Sequence, residues 1–229
     1  MNTDGQVSIR AGKITLEGNL TVPQGARALV LFAHGSGSSR HSPRNRRVAA
    51  QLNERGLATL LFDLLTREEE EVDLRTAEYR FDIDLLAQRL GQATDWLGGV
   101  PALAALAPCY FGSSTGAAAA LIAAAQRPER IAAVVSRGGR PDLAGPALSQ
   151  VRAPTLLIVG GADEAVLELN RRALTHLHAE AKLEVVPQAT HLFEEPGALD
   201  QVANLAAEWF VQHSAAAEET PSPPGRGMG

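Results

Sequence analysis

The sequence predicts an α/β fold, a mostly parallel sheet with helices on both faces. Short apolar runs recur along the chain, stretches of helical period separate them, and Gly, Pro, Ser and Asp punctuate the joins. With 229 residues the chain has room for one sizeable domain of this kind and little for two. One domain is expected over 1–214. The stretch AAAEETPSPPGRGMG (215–229), rich in Pro, Gly and charge, is expected to be disordered.

The elements follow in order. Val7 to Ile9 and Ile14 to Leu20 alternate apolar and polar residues around Gly12-Lys13, which predicts a hairpin. Ala28 to Phe32 is continuously apolar and suits a strand buried on both faces. Ser42-Pro43 reads as a helix N-cap followed by proline at the first helical position. Val48, Ala49 and Leu52 share a face of that helix, and Gly56 closes it. Ala58 to Phe62 is a second buried strand. A polar stretch from Thr66 to Arg80 follows, in which the acidic run Glu68 to Glu71 and Asp73 reads as a solvated turn or helix start that could partly cover the site, and a helix runs from about Phe81 to Trp96. Pro108 to Phe111, Ile131 to Ser136, Thr155 to Val159 and Leu183 to Val186 supply the remaining strands. Helices are expected over Ala117 to Ala125 and Val166 to Leu177. A last one carries Leu199, Val202, Leu205, Ala206, Trp209 and Phe210 on one stripe.

Composition excludes several classes. A net charge of −5 gives no global attraction for nucleic acid or anionic membrane. No apolar run approaches the roughly 20 residues that span a bilayer, and the N-terminus carries no secretory pattern. The single cysteine, Cys109, rules out an internal disulfide and fits a reducing, cytoplasmic setting.

Gly112-Ser113-Ser114-Thr115-Gly116 places a G-x-S-x-G string between a strand and a helix. That context holds the serine in a tight turn with its hydroxyl clear of the sheet, and the next N–H faces the space where a substrate oxygen gains charge. A serine hydroxyl needs a base, and the base an orienting acid. On parallel sheets of this type they arrive in the order serine, acid, histidine, on loops after later strands. Asp163 follows Gly160-Gly161-Ala162 at the end of one strand, and His191 follows Pro187 to Thr190 at the end of the next. Asp163 could instead cap the following helix, with Glu164 as the acid. His34 reads as a structural histidine at a strand end, and His41 stands in a loop before a helix. His176 and His178 face different sides of a helix, and His213 sits beside the tail. Ser114, Asp163 and His191 are the expected catalytic set. Thr115 supplies one oxyanion N–H; in the loop His34 to Ser39, Ser36 is the favoured second donor and Gly37 the next.

Arg137 and Arg140 follow a strand at the same edge, with Arg40, Arg44 and Arg80 on nearby loops. Arginine clamps anions with paired hydrogen bonds, so Arg137, Arg140 and Arg40 are candidate substrate contacts. Pairing with Asp142 and the acidic run Glu68 to Glu71 is the competing reading. The segment between Ser136 and Pro154 is too short for a large lid domain, which favours small, soluble substrates.

Through HGSGSS (His34 to Ser39), GSSTG (Gly112 to Gly116), GGAD (Gly160 to Asp163) and THLFEEPG (Thr190 to Gly197), the chain resembles the dienelactone hydrolase family of α/β-hydrolases from about Ala28 to Phe210. The resemblance implies the α/β-hydrolase fold and cleavage of a small-molecule ester or lactone without metal or organic cofactor. The founding members carry cysteine in the elbow where this sequence has Ser114, which points to a general serine esterase. Acyl transfer to another acceptor, thioester cleavage, or a non-catalytic binding role on the same fold are the alternatives.

Overall fold

The computed structural model describes residues 3–215. The expectation of disorder over 215–229 therefore lies outside the described residues, save for Ala215, which ends the last helix. Eight strands form one sheet: β1 (Thr3–Ala11), β2 (Ile14–Val22), β3 (Ala28–Ala33), β4 (Ala58–Phe62), β5 (Ala107–Ser113), β6 (Ala133–Arg137), β7 (Thr155–Gly160) and β8 (Ala181–Val186). Their order is β1-β2-β4-β3-β5-β6-β7-β8. β1 pairs antiparallel with β2, and β2 with β4; every other pairing is parallel. This is the mostly parallel α/β-hydrolase sheet that the sequence predicts.

The continuous apolar runs sit where burial demands them. Every residue of β3, β4, β6 and β7 is buried, because helices cover both faces. On one face α1 (Pro43–Glu54) and α6 (Ala198–Ala215) pack over Phe32, Phe111, Val135 and Ile158. On the other, α3 (Ile83–Gly98), α4 (Thr115–Ala125) and α5 (Glu164–Leu174) cover Leu31, Tyr110, Val134 and Leu157. Tyr110 is fully buried, and its hydroxyl is satisfied by Thr94 Oγ1 at 2.7 Å. The chain leaves β3 towards β4 and then returns to β5 on the opposite side of β3. The loops after β3 and β5 thus leave towards opposite faces of the sheet, to α1 and α4, and such a switch point is where open parallel sheets hold ligands.

Two stretches differ from expectation. The polar run after Thr66 is a ten-residue helix, α2 (Arg67–Thr76). Thr66 and Glu69 form a reciprocal capping box, glutamates fill the positive first turn, and Ala77 closes the helix in the left-handed region. Capping and dipole matching form this helix without an apolar stripe. Residues 141–150 form 3-10 turns broken at Gly145 and pack against α4. No inserted lid domain is present among the described residues, and no helix there is long and apolar enough to cross a membrane.

α4 is buried on nearly every side, which its alanines allow, and it lies hard against β3. A β-carbon on Gly116 would stand 2.2 Å from the carbonyl oxygen of Ala33 and 2.5 Å from that of His34. Both obstacles are backbone and cannot swing away. Gly116→Ala is expected to cost about 3 kcal/mol or more, lowering Tm by roughly 6–12 °C for a chain of this size. Gly5→Ala, with open space around it, should stay within about 0.5 kcal/mol of the parent. Thermal melts of the two variants check the contrast.

Candidate active site

The turn between β5 and α4 holds Ser114 at φ 51°, ψ −121°, a region that L-residues rarely occupy and that costs about 1–3 kcal/mol. Neighbouring backbone keeps it there. Ser114 N donates to the Arg137 carbonyl at 3.2 Å, and Arg140 N and Ala117 N each donate to the Ser114 carbonyl at 3.1 Å. Ser113 pairs in register with Arg137 across β5 and β6, so the elbow is anchored on the end of β6. The serine remains partly exposed while Ser113 and Thr115 on either side are buried.

The other two members come from the loops after β7 and β8. Gly161 N donates to the Val186 carbonyl at 2.8 Å and Ala162 N to the Ala189 carbonyl at 3.0 Å, locking the two loops together. Asp163 stands at the N-cap of α5, but its side chain makes no capping bond. Its Oδ2 instead lies 2.7 Å from His191 Nδ1. Glu164, the alternative acid, is exposed. The ring of His191 lies over the end of β6, where a β-carbon on Gly138 would be 3.6 Å from Cε1. Ser114 and His191 line one cleft of about 230 Å³ together with Gly35, Ser36, Arg44 and Arg137. Among the described residues, no group of three or more His, Cys, Asp or Glu side chains converges as a metal site would.

The loop after β3 passes beside Ser114: a β-carbon on Gly35 would lie 3.1 Å from that of Ser114. His34 fixes this loop. Burial lowers its pKa and keeps it neutral, with Nδ1 bonded to the Gly35 carbonyl at 3.0 Å and Nε2 accepting from Leu64 N at 3.1 Å. Thr115 is the first residue of α4, so its N–H has no carbonyl one turn back to bond. Ser36 needs a correction. Its N–H points at the elbow but donates to Thr115 Oγ1 at 2.9 Å, so it is not a free donor in this state. Sequence reasoning missed this contact, because a threonine hydroxyl at this position of the turn carries no pattern that marks it. α2 flanks the same loop, with Asp73 and Leu74 lining a cavity of about 60 Å³ beside Ser36 and Gly37.

The three arginine candidates part company. Arg140 forms a two-pronged pair with Asp142, at 2.8 and 2.7 Å. Arg40 pairs with Asp63 through its side chain and its own N–H. Both are thus committed to carboxylates and drop out as substrate contacts. Arg80 likewise pairs with Asp73, at 2.6 Å. Arg137 behaves otherwise. It is 7% exposed, lines the cleft, and has Nε and Nη1 buried without a hydrogen-bond partner. Burial, with the positive charge of Arg44 added, pulls its pKa down to about 10.

The dienelactone hydrolase family model matches residues 16–220. The chain belongs to the dienelactone hydrolase family. A crystal structure of a dienelactone hydrolase from Anabaena variabilis is 60% identical over 93% of this chain and 98% of that one, with a TM-score of 0.91. The fold extends to Est1E from Butyrivibrio proteoclasticus, at 17% identity over 92% of this chain and 99% of that one, with a TM-score of 0.76. Two Mycobacterium tuberculosis proteins, from different strains, carry the provisional name of phosphoribosyl transferase. Each is 59% identical over 92% of this chain but only 46% of its own length. The chain therefore spans about half the length of those relatives.

The one cysteine of the sequence lies in β5 and not in the elbow. Cys109 is fully buried, and burial pushes its thiol up to about 12. Only the thiolate reacts. The folded protein should therefore give no colour with a disulfide reagent such as Ellman's at pH 8, and one thiol per chain after unfolding in guanidinium chloride. Prompt reaction of the native protein would contradict the closed sheet around β5.

Proposed function

We propose that the chain is a serine hydrolase that cleaves carboxylic esters or lactones of small, soluble molecules through an acyl-enzyme. The observation that carries this reading is the 2.7 Å Asp163–His191 bond, made in a cleft where the backbone-strained Ser114 is partly exposed. Family membership supports hydrolysis as the reaction type.

In this reading the Asp163 carboxylate holds His191 with Nδ1 protonated, leaving Nε2 free to act as base. His191 takes the proton of Ser114 as Oγ attacks the ester carbonyl. The Thr115 N–H stabilises the oxyanion, and the Ser36 N–H joins it by leaving Thr115 Oγ1. Collapse of the tetrahedral intermediate breaks the carbon–oxygen bond, and His191 protonates the departing alcohol. His191 then draws a proton from water, which attacks the acyl carbon and releases the acid, and the proton returns to Ser114. The phosphoribosyl transferase name belongs to proteins about twice this length, and it is not carried over to this chain.

A fluorophosphonate probe tests the assignment. Labelling should map to Ser114 and vanish in Ser114→Ala. Hydrolysis of 4-nitrophenyl acetate should fall about 10⁴-fold or more in Ser114→Ala and in His191→Asn, because the set acts as a unit. Asp163→Asn should lower kcat with little change in KM, since it disturbs the tautomer of His191 and not the cleft. A folded protein that takes no label, or a Ser114→Ala variant that keeps its rate, would refute the reading.

A further inference from the structure

Arg137 stands apart from the other enclosed arginines. Arg89, 9% exposed, reaches Glu69 at 2.7 Å, and Arg40 and Arg80 each have a carboxylate of their own. Arg137 is as deeply buried and, among the described residues, has none. A guanidinium stays charged at neutral pH, and a buried charge is unfavourable unless something of opposite sign meets it. The charged neighbour acting on it is Arg44, which adds repulsion. Arg44 also has a buried, unpartnered Nε, and its only ion pair among the described residues is a 3.4 Å contact with the exposed Glu194.

Both guanidinium groups line the cleft that holds Ser114 and His191, and among the described residues no acidic side chain lines it. Ser42, the N-cap of the twelve-residue α1, and Arg44 and Asn45 of its first turn contribute to the wall. Its N-terminus adds partial positive charge to that of the two arginines. Ser38 places a hydroxyl there as well. The chain as a whole is acidic, with a net charge of −5, so this positive pocket is local to the cleft.

We propose that the cleft binds a phosphate monoester group carried by the substrate, with its oxygens on Arg137 and Arg44, so that a phosphorylated small ester is presented to Ser114. The proposal rests on the serine-hydrolase reading for what happens next, but not for the binding itself. Charge selects phosphate over carboxylate. The buried Arg137 guanidinium beside the half-exposed Arg44, whose Glu194 partner is itself exposed, favours more than one negative charge, and a phosphate monoester brings about −1.5 to −2 with three acceptor oxygens near pH 7. A carboxylate brings one charge and two oxygens, enough for a single fork. The phosphate is a handle: the bond that breaks is the ester carbon–oxygen bond, and the phosphoryl group leaves intact.

Calorimetry of the Ser114→Ala protein with inorganic phosphate tests binding without catalysis. Competition by phenyl phosphate and by benzoate against hydrolysis of neutral 4-nitrophenyl acetate by the parent protein tests the choice of anion. Phosphate should give a saturable heat, and phenyl phosphate should inhibit at a concentration about tenfold or more below that of benzoate. Arg137→Gln should weaken phosphate binding about tenfold or more, and Arg44→Gln, at a half-exposed position, about threefold. If Arg137→Gln does not fold, Arg44→Gln decides. Benzoate matching phenyl phosphate, no heat with phosphate, or phosphate binding indifferent to both substitutions would each overturn the proposal. Fluorophosphonate labelling at Ser114 separates the two readings. Labelling without phosphate binding removes the anion site and keeps the hydrolase; phosphate binding without labelling does the reverse.

Discussion

The close contact between α4 and the end of β3 is the constraint on which the rest depends. Ser114 occupies a backbone conformation that would relax in a free peptide, and it persists because the chain on both sides is immobilised. Upstream, β5 is hydrogen-bonded between β3 and β6. Downstream, α4 runs straight into the core, and Gly116 passes the carbonyls of Ala33 and His34 without room for a methyl group. The run of alanines after it follows from the same demand. Larger side chains on α4 would lift the helix from the sheet, and the turn would lose the support that offsets its strain. The serine is therefore raised towards the cleft by packing some distance from it.

The same logic governs the loops that face the elbow. Asp163 and His191 lie on separate crossovers, yet main-chain bonds between the β7 and β8 loops fix one against the other before their side chains meet. His34, a neutral strut between Gly35 and Leu64, does this for the loop after β3. α2 is held by carboxylates, with Asp73 accepting from the Tyr79 and Arg80 N–H groups and Glu69 gripping Arg89 of α3. Burial alone would raise the pKa of Asp73, but the hydrogen bonds from Arg80 and Tyr79 outweigh it and hold the carboxyl below its usual range. Acid–base pairs thus brace the surroundings of the cleft, and inside it a cation stands without one.

What the sequence makes legible is what local chemistry determines. Ala28 to Phe32 and Thr155 to Val159 are readable as buried strands because a fully covered strand leaves no polar alternation. Ser42-Pro43 marks a helix start because that pair suits the N-cap and first helical position, and the elbow is legible because two glycines around a serine between strand and helix have few other uses. α2 was legible only as a turn or helix start, and its extent was not, because a helix formed by capping and charge has no apolar period. The Thr66-x-x-Glu69 spacing was the available signal. The 3-10 turns after Arg140, interrupted by Gly145 and Pro146, have no period at all.

The residues around Ser114 separate into two kinds for a related reason. Asp163 and His191 could be placed because each ends a recognisable strand, and strand order alone brings them to one edge. Arginines at the same edge cannot be sorted that way. Arg140 and Arg137 stand three residues apart with the same chemistry, and one is tied to Asp142 while the other is enclosed beside Arg44 with two nitrogens unmet. The difference lies in what surrounds each side chain and not in its identity or spacing. A catalytic set would be a pattern of residues that are present, whereas Arg137 is set apart by the lack, among the described residues, of a carboxylate beside it. Such a vacancy becomes visible only when every neighbour has been assigned a partner, and that is a property of the folded chain.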